Sequence, residues 1–148
     1  MPDSVGVGLV GLGTIGTGVV HAFQRHGPLI DERLGFPLEL RRIADIDLER
    51  DRGVALDAYR LGTDWKELAE DPGVHVVIEL VGGTGVALEL VRTVLSAGKR
   101  VVTANKALLA HHGPELYALA AENSTGIAFE AAGGGARPPS PPGAPAPT

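Results

Sequence analysis

Three glycines at Gly11, Gly13 and Gly16, in the run Gly11-Leu-Gly13-Thr-Ile-Gly16, form a G-x-G-x-x-G pattern that could bring main-chain N–H groups against a diphosphate. Each glycine has its own task in that chemistry. Gly11 would permit a tight turn, Gly13 would let the backbone approach a pyrophosphate, and Gly16 would let the following helix lie against the preceding strand. The helix start adds unpaired N–H groups and a partial positive charge. No Lys-Ser/Thr pair follows the glycines, which excludes a P-loop.

Carboxylates come next. At the end of a second strand, an acidic side chain can accept hydrogen bonds from ribose hydroxyls and repel a 2′-phosphate, and Asp45 and Asp47 are the candidates. Arg42, Arg50 and Arg52 stand nearby and could instead grip a 2′-phosphate, so the choice is between NAD and NADP, with NAD favoured. Asn105 and Lys106 follow another apolar run, at the strand edge where open α/β sheets bind ligands. Lys106 there is either a cofactor or substrate contact or an exposed structural lysine. Glu79 lies in an apolar strand and reads as a satisfied buried carboxylate or a catalytic group. His111-His112 lacks further ligands at suitable spacing, so no metal site is expected.

These residues need a scaffold. Val5 to Val10 is apolar and β-prone, and Thr14 to His26 carries Ile15, Val19, Val20 and Phe23 at helical spacing. Gly27 to Pro37, with Pro28, Gly35 and Pro37, predicts a turn-rich insertion before a strand over Leu38 to Asp45. Asp47 to Gly53 predicts an exposed charged loop, and Trp65 to Glu70 a short helix. Val74 to Val81 is a nearly continuous apolar run, as in a strand covered on both faces. A helix over Val86 to Ala97, a strand over Arg100 to Thr103, a helix from Pro114 to Glu122 and a strand over Ile127 to Glu130 complete the series. Strands alternating with helices in this way predict a doubly wound, mostly parallel α/β sheet of the Rossmann type.

The net charge of −5 and the lack of any Lys/Arg cluster argue against a nucleic-acid partner, and no run is long and apolar enough for a signal peptide or membrane span. The absence of cysteine suits a cytoplasmic setting. Most of the chain's eleven prolines fall in its last sixteen residues. The expected organisation is therefore a dinucleotide-binding domain over 1–132 and a Pro/Gly/Ala-rich, disordered tail over 133–148.

The run Val102-Thr-Ala-Asn-Lys-Ala-Leu-Leu-Ala110, preceded by Val77-Ile-Glu-Leu-Val-Gly-Gly83 and followed by Phe129-Glu-Ala-Ala132, resembles the nucleotide domain of homoserine dehydrogenases over about residues 5–135. That resemblance implies reversible NAD(P)-dependent interconversion of L-aspartate 4-semialdehyde and L-homoserine, on the route to threonine and methionine, by a homodimer. By position it implies that Gly11, Gly13, Thr14, Ile15 and Gly16 line the pyrophosphate and that Gly82, Gly83 and Thr84 lie beside the ribose and nicotinamide. Thr103, Ala104 and Asn105 join the cofactor-binding set, and Lys106 contacts cofactor and substrate. Relatives often carry an arginine where Ile46 stands, and its absence here agrees with NAD.

Members of that family continue after E-A-A into a catalytic and dimerisation domain, whereas this sequence reads Gly133-Gly-Gly-Ala-Arg-Pro-Pro. The expectation is a truncated chain, by early stop, frame shift or fragmentation, that binds dinucleotide with little or no turnover. Sugar-type oxidoreductases with E-K-P in place of T-A-N-K are disfavoured. A non-catalytic dinucleotide-binding or redox-sensing module is the alternative.

Overall fold

The structure is a computed structural model that describes residues 4–34, 37–49, 52–81 and 84–129. The described chain runs β1 (Val5–Val10), α1 (Thr14–Leu34), β2 (Leu38–Ala44), β3 (Arg60–Gly62), α2 (Lys66–Glu70), β4 (Val76–Glu79), α3 (Gly85–Ser96), β5 (Arg100–Thr103), α4 (Lys106–Glu122) and β6 (Ile127–Phe129). All five strand pairings are parallel, in the order β3-β2-β1-β4-β5-β6. The order reverses between β1 and β4, and the crevice at the carboxyl ends of those strands is where sheets of this kind take ligands. The expected doubly wound α/β architecture is the one observed.

Period-two alternation, shifted by one residue at the irregularity beside Arg41 in β2, divides the sheet's side chains between two cores. Val7, Leu9, Leu40 and Ile43 point to one face, where Leu12, Val20 and Phe23 from the glycine turn and α1 meet them, with Leu48, Val54, Leu56 and Tyr59 from the segment after β2. Val10, Ala44, Val77 and Val101 point to the other, packed by α2, α3 and α4 through Leu68, Leu90, Val94, Leu108 and Leu116. β1 carries no side chain at Gly8, where a Cβ would lie 2.6 Å from Leu68 Cδ2, so α2 seats directly on the strand backbone.

Several boundaries differ from the sequence expectation. The stretch from Gly27 is a continuation of α1 rather than a turn-rich insertion. Helical geometry breaks at His26 (φ −126°, ψ 15°) and resumes as far as Leu34. Pro28 suits this resumption, because its fixed φ matches a first helical turn and its missing N–H costs no bond there. α4 likewise starts at Lys106, eight residues before Pro114. Asn105 caps it, its Oδ1 accepting the Leu108 N–H at 3.0 Å, and that signal outweighs the one bond that Pro114 removes inside the helix. β3 had no apolar alternation to reveal it. By contrast α3 ends at Ser96, and Gly98 just beyond its Ala97 cap, at φ +78°, provides the left-handed stop that was anticipated.

At the amino edge of the sheet the Lys99 ammonium donates to the Asp71 and Val74 carbonyls at 2.7 and 2.6 Å. Desolvation lowers its pKa, partly opposed by Asp71. None of the described helices is long and apolar enough to cross a membrane. The proposed tail over 133–148, together with Gly82 and Gly83, lies outside the described residues.

Candidate functional site

A cleft of about 420 Å³ opens at the carboxyl ends of β1, β2 and β4. Its lining includes Gly11, Leu12 and Gly13 of the glycine turn, Asp45, Ile46, Asp47 and Arg52 after β2, Thr63 and Trp65 before α2, and Leu80, Val81 and Val86 across from them.

The turn is shaped by what its glycines lack. Gly11 adopts φ +103°, a region side chains disfavour, and a Cβ there would come within 2.7 Å of the Leu80 carbonyl oxygen. At Gly16 a Cβ would lie 2.0 Å from the Gly11 carbonyl oxygen, so the first turn of α1 rests on the glycine turn itself. Gly13 is different in kind: nothing stands within 4 Å of where its Cβ would be, leaving its backbone open to an approaching group. The helix begins there, with the Thr17 N–H donating to the Gly13 carbonyl at 2.9 Å. Main-chain N–H groups of the first helical turn have no partner inside the helix, which suits an anion. Thr14, Ile15 and Gly16 form that turn, and Ile15 is half exposed.

Asp45 follows the last residue of β2 and reaches back to the turn. Its Oδ2 accepts the Leu12 N–H at 2.6 Å and its Oδ1 accepts the Asp47 N–H at 2.8 Å. Arg52 completes this arrangement, with Nε donating to the Leu12 carbonyl at 2.8 Å and a terminal nitrogen 3.5 Å from Asp45 Oδ1. The Asp47 carboxylate faces outward and accepts the Glu49 N–H at 3.1 Å. The sequence expectation that Asp47 to Gly53 is simply an exposed loop therefore fails at Arg52, whose side chain is only 4% exposed. Arg42, another candidate cation, is turned to α2, where it donates to the Glu67 carbonyl at 2.8 Å and pairs with Asp71 at 3.5 Å. Arg50 lies outside the described residues.

A second constellation sits at the ends of β4 and β5. Glu79 is fully buried and satisfied, as the milder of its two readings held, accepting from Thr103 Oγ1 and from the Val81 N–H, both at 2.8 Å. Thr103 in turn accepts the Asn105 N–H at 2.9 Å, and Asn105 caps α4. The hydroxyl of Thr103 and the side-chain oxygen of Asn105 are thus engaged in holding the start of α4. Lys106 is the first residue of that helix and is exposed. Thr84 stands at the start of α3. Thr84 and residues 103–106 are not among those lining the cleft, so the structure gathers the candidate residues into two groups. No cluster of three or more potential metal ligands occurs among the described residues.

Sequence reasoning missed Trp65 and Thr63 in the cleft and underrated Arg52. Trp65 is the only tryptophan of the chain, and that singularity was the one signal available.

Residues 11–130 match the family model described as homoserine dehydrogenase, NAD binding domain. The chain is 41% identical over 135 residues to homoserine dehydrogenase of Bacillus subtilis, covering 91% of this chain and 31% of the relative. To the enzyme of Corynebacterium glutamicum it is 42% identical over 137 residues, covering 92% and 30%. Among solved structures, homoserine dehydrogenase from Thiobacillus denitrificans superposes with a TM-score of 0.80 at 36% identity, covering 86% of this chain and 29% of that one. The Staphylococcus aureus enzyme gives 0.79 at 33%, covering 86% and 33%. The chain thus spans about 30% of the length of the curated relatives it matches.

Proposed function

Since the chain belongs to the homoserine dehydrogenase family and corresponds to its NAD-binding domain, we propose that the cleft holds a nicotinamide dinucleotide along the strand ends, with its pyrophosphate over Gly13. The observation that carries this reading is the open backbone at Gly13 beside two glycines whose Cβ positions are blocked by main chain. A diphosphate needs such an approach, and a turn that merely packs does not.

In this reading Gly11, Thr14, Ile15 and Gly16 shape the pyrophosphate subsite, while Asp45, Asp47, Ile46 and Trp65 surround the adenosine. The family resemblance assigns Gly82, Gly83 and Thr84 to the nicotinamide ribose, and Ala104 and Lys106 belong to the nicotinamide end. Thr103 and Asn105 serve that end by fixing the start of α4, which supports a positioning role for them. NAD is proposed over NADP. Asp47 follows β2 with its carboxylate exposed, Ile46 supplies no charge, and Arg52 is committed to Asp45 and to main-chain carbonyls.

When bound, the cofactor would supply the hydride. For the whole enzyme the proposed reaction is the reversible reduction of L-aspartate 4-semialdehyde to L-homoserine, in a homodimer in the cytoplasm. Reducing an aldehyde also requires a proton donor beside the forming alkoxide, so the 148 residues alone are expected to bind dinucleotide with little or no turnover. The relatives are enzymes, which disfavours a non-catalytic redox module.

Trp65 gives a direct test, because its emission can be quenched by energy transfer to bound reduced nicotinamide. Titration with NADH should quench it saturably, with NADPH about tenfold weaker. Absence of quenching and of calorimetric heat at millimolar cofactor would overturn the reading. A rise in rate when aspartate semialdehyde is supplied to the chain alone would overturn the expected lack of turnover.

A further inference from the structure

Resting on the dinucleotide reading, we propose that Asp45 and Arg52 are a positioning pair: they clamp the two peptide groups flanking Leu12 and act on the cofactor by fixing the glycine turn, not by touching the adenosine ribose.

Leu12 is the residue between the first two glycines of the motif, and both of its main-chain polar groups are taken by this pair. Its N–H donates to Asp45 Oδ2 at 2.6 Å, across 33 residues of sequence, and its carbonyl accepts from Arg52 Nε at 2.8 Å, across 40. The pair is itself closed, with Arg52 3.5 Å from Asp45 Oδ1 and also donating to the Asp47 carbonyl. Asp45 Oδ1 accepts the Asp47 N–H, so each carboxylate oxygen already holds a main-chain donor. A sugar hydroxyl would therefore have to share an oxygen that already holds one of the protein's own main-chain donors.

The need for such a clamp follows from the motif. A peptide flanked by glycine on both sides is the most flexible unit a chain can offer, and a phosphate-binding turn must be ordered before or during binding. The Leu12 side chain is fully buried and anchors one side of the turn, but side-chain burial alone leaves the peptide planes free to rock. An ion pair that donates to the carbonyl and accepts from the amide of one residue sets both planes. Arg52, with its side chain 4% exposed, also compensates a carboxylate that is itself mostly removed from water.

The test uses the full 148-residue chain, with ADP and 2′-deoxy-ADP as calorimetric probes beside NADH. Asp45→Asn and Arg52→Met should each weaken ADP and 2′-deoxy-ADP by the same factor, about tenfold, and the double variant should be no weaker than the worse single one. A loss confined to ADP would make Asp45 a direct ribose ligand and overturn the proposal. Additive losses, or none, would overturn it as well. If the unaltered chain binds neither NADH nor ADP, the dinucleotide reading itself falls, and this proposal with it. Should Arg52→Met not fold, Arg52→Lys keeps a positive charge beside Asp45 but gives up the Nε donor. It should speed amide hydrogen exchange at Leu12 while leaving the central strands protected, and unchanged exchange at Leu12 would refute the clamp.

Discussion

The two ends of the proposed cofactor track solve one problem by related means. At the β2 end, Asp45 gathers the Leu12 and Asp47 amides with help from Arg52; at the β4 end, Glu79 gathers the Val81 amide and the Thr103 hydroxyl. In both, a carboxylate just at a strand terminus accepts from the main chain that turns away from it. Their surroundings differ. Asp45 is at the cleft wall with a guanidinium beside it, whereas Glu79 has no exposed surface and takes neutral donors from Val81 and Thr103. The comparison teaches that an acidic residue at a carboxyl strand end is not by itself a ligand contact. It can be the fastening that gives the neighbouring loop its shape, and exposure separates a fastening at the wall from one within the core.

The largest effect should come from striking the turn directly. Gly16→Ala puts a methyl group where only 2.0 Å separates its carbon from the Gly11 carbonyl oxygen, so α1 must shift off the turn. We expect a loss of about 3 kcal/mol in urea denaturation and no measurable NADH binding. Full affinity in that variant would remove the turn from the site. Next, Glu79→Leu leaves the Thr103 hydroxyl and the Val81 amide without their acceptor in the core. It should cost about 2–3 kcal/mol, against about 1 kcal/mol for Asp45→Asn, which keeps a side-chain oxygen at the cleft wall. Equal costs would erase the distinction between the two ends.

Gly13→Ala sharpens the contrast within the turn. The added methyl group meets only open space, so the melting temperature should stay close to that of the unaltered chain while NADH affinity falls at least about tenfold. A parallel fall in stability would mean that Gly13 serves packing. The smallest effect should come from Glu115, which is exposed and pairs with Arg92 far from either end. The Arg92 hydrogen bond holds its carboxyl below the usual glutamate range. Its contribution to stability is present above the unfolded-state value and disappears as pH falls through the folded-state value. Glu115→Gln should therefore be barely distinguishable at neutral pH and indistinguishable in acid, with NADH binding unaffected; a large shift would show that surface pairs matter more here than burial.

The glycine turn was legible in sequence because its constraint is local: three missing side chains at fixed spacing between an apolar strand and a helix. Asp45 was legible as a residue but not in its role, since its partner amide lies 33 residues away and only strand pairing brings the two together. Arg52 was read as a loop cation, exposed or gripping a 2′-phosphate, because charge in a loop usually means exposure, and nothing local announces that a guanidinium is to be buried. Pro28 and Pro114 misled for a shared reason. Proline is a strong breaker signal on average, yet one occupies a restart and the other is tolerated within a capped helix. Trp65 reaches the cleft through the crossover between β3 and α2, and the three-residue β3 that sets its place has too little pattern to detect.

The strand order also bears on how the chain is made. Of the six described strands β1 leaves the ribosome before the other five, yet in the finished sheet it lies between β2 and β4. Until β4, which ends at Glu79, has been synthesised, one flank of a strand built from valine, leucine and glycine stays unpaired. At about 5–20 residues per second that interval lasts several seconds. A nascent strand with open N–H and C=O groups is a template for misplaced pairing, so this period is when the molecule is most exposed to aggregation.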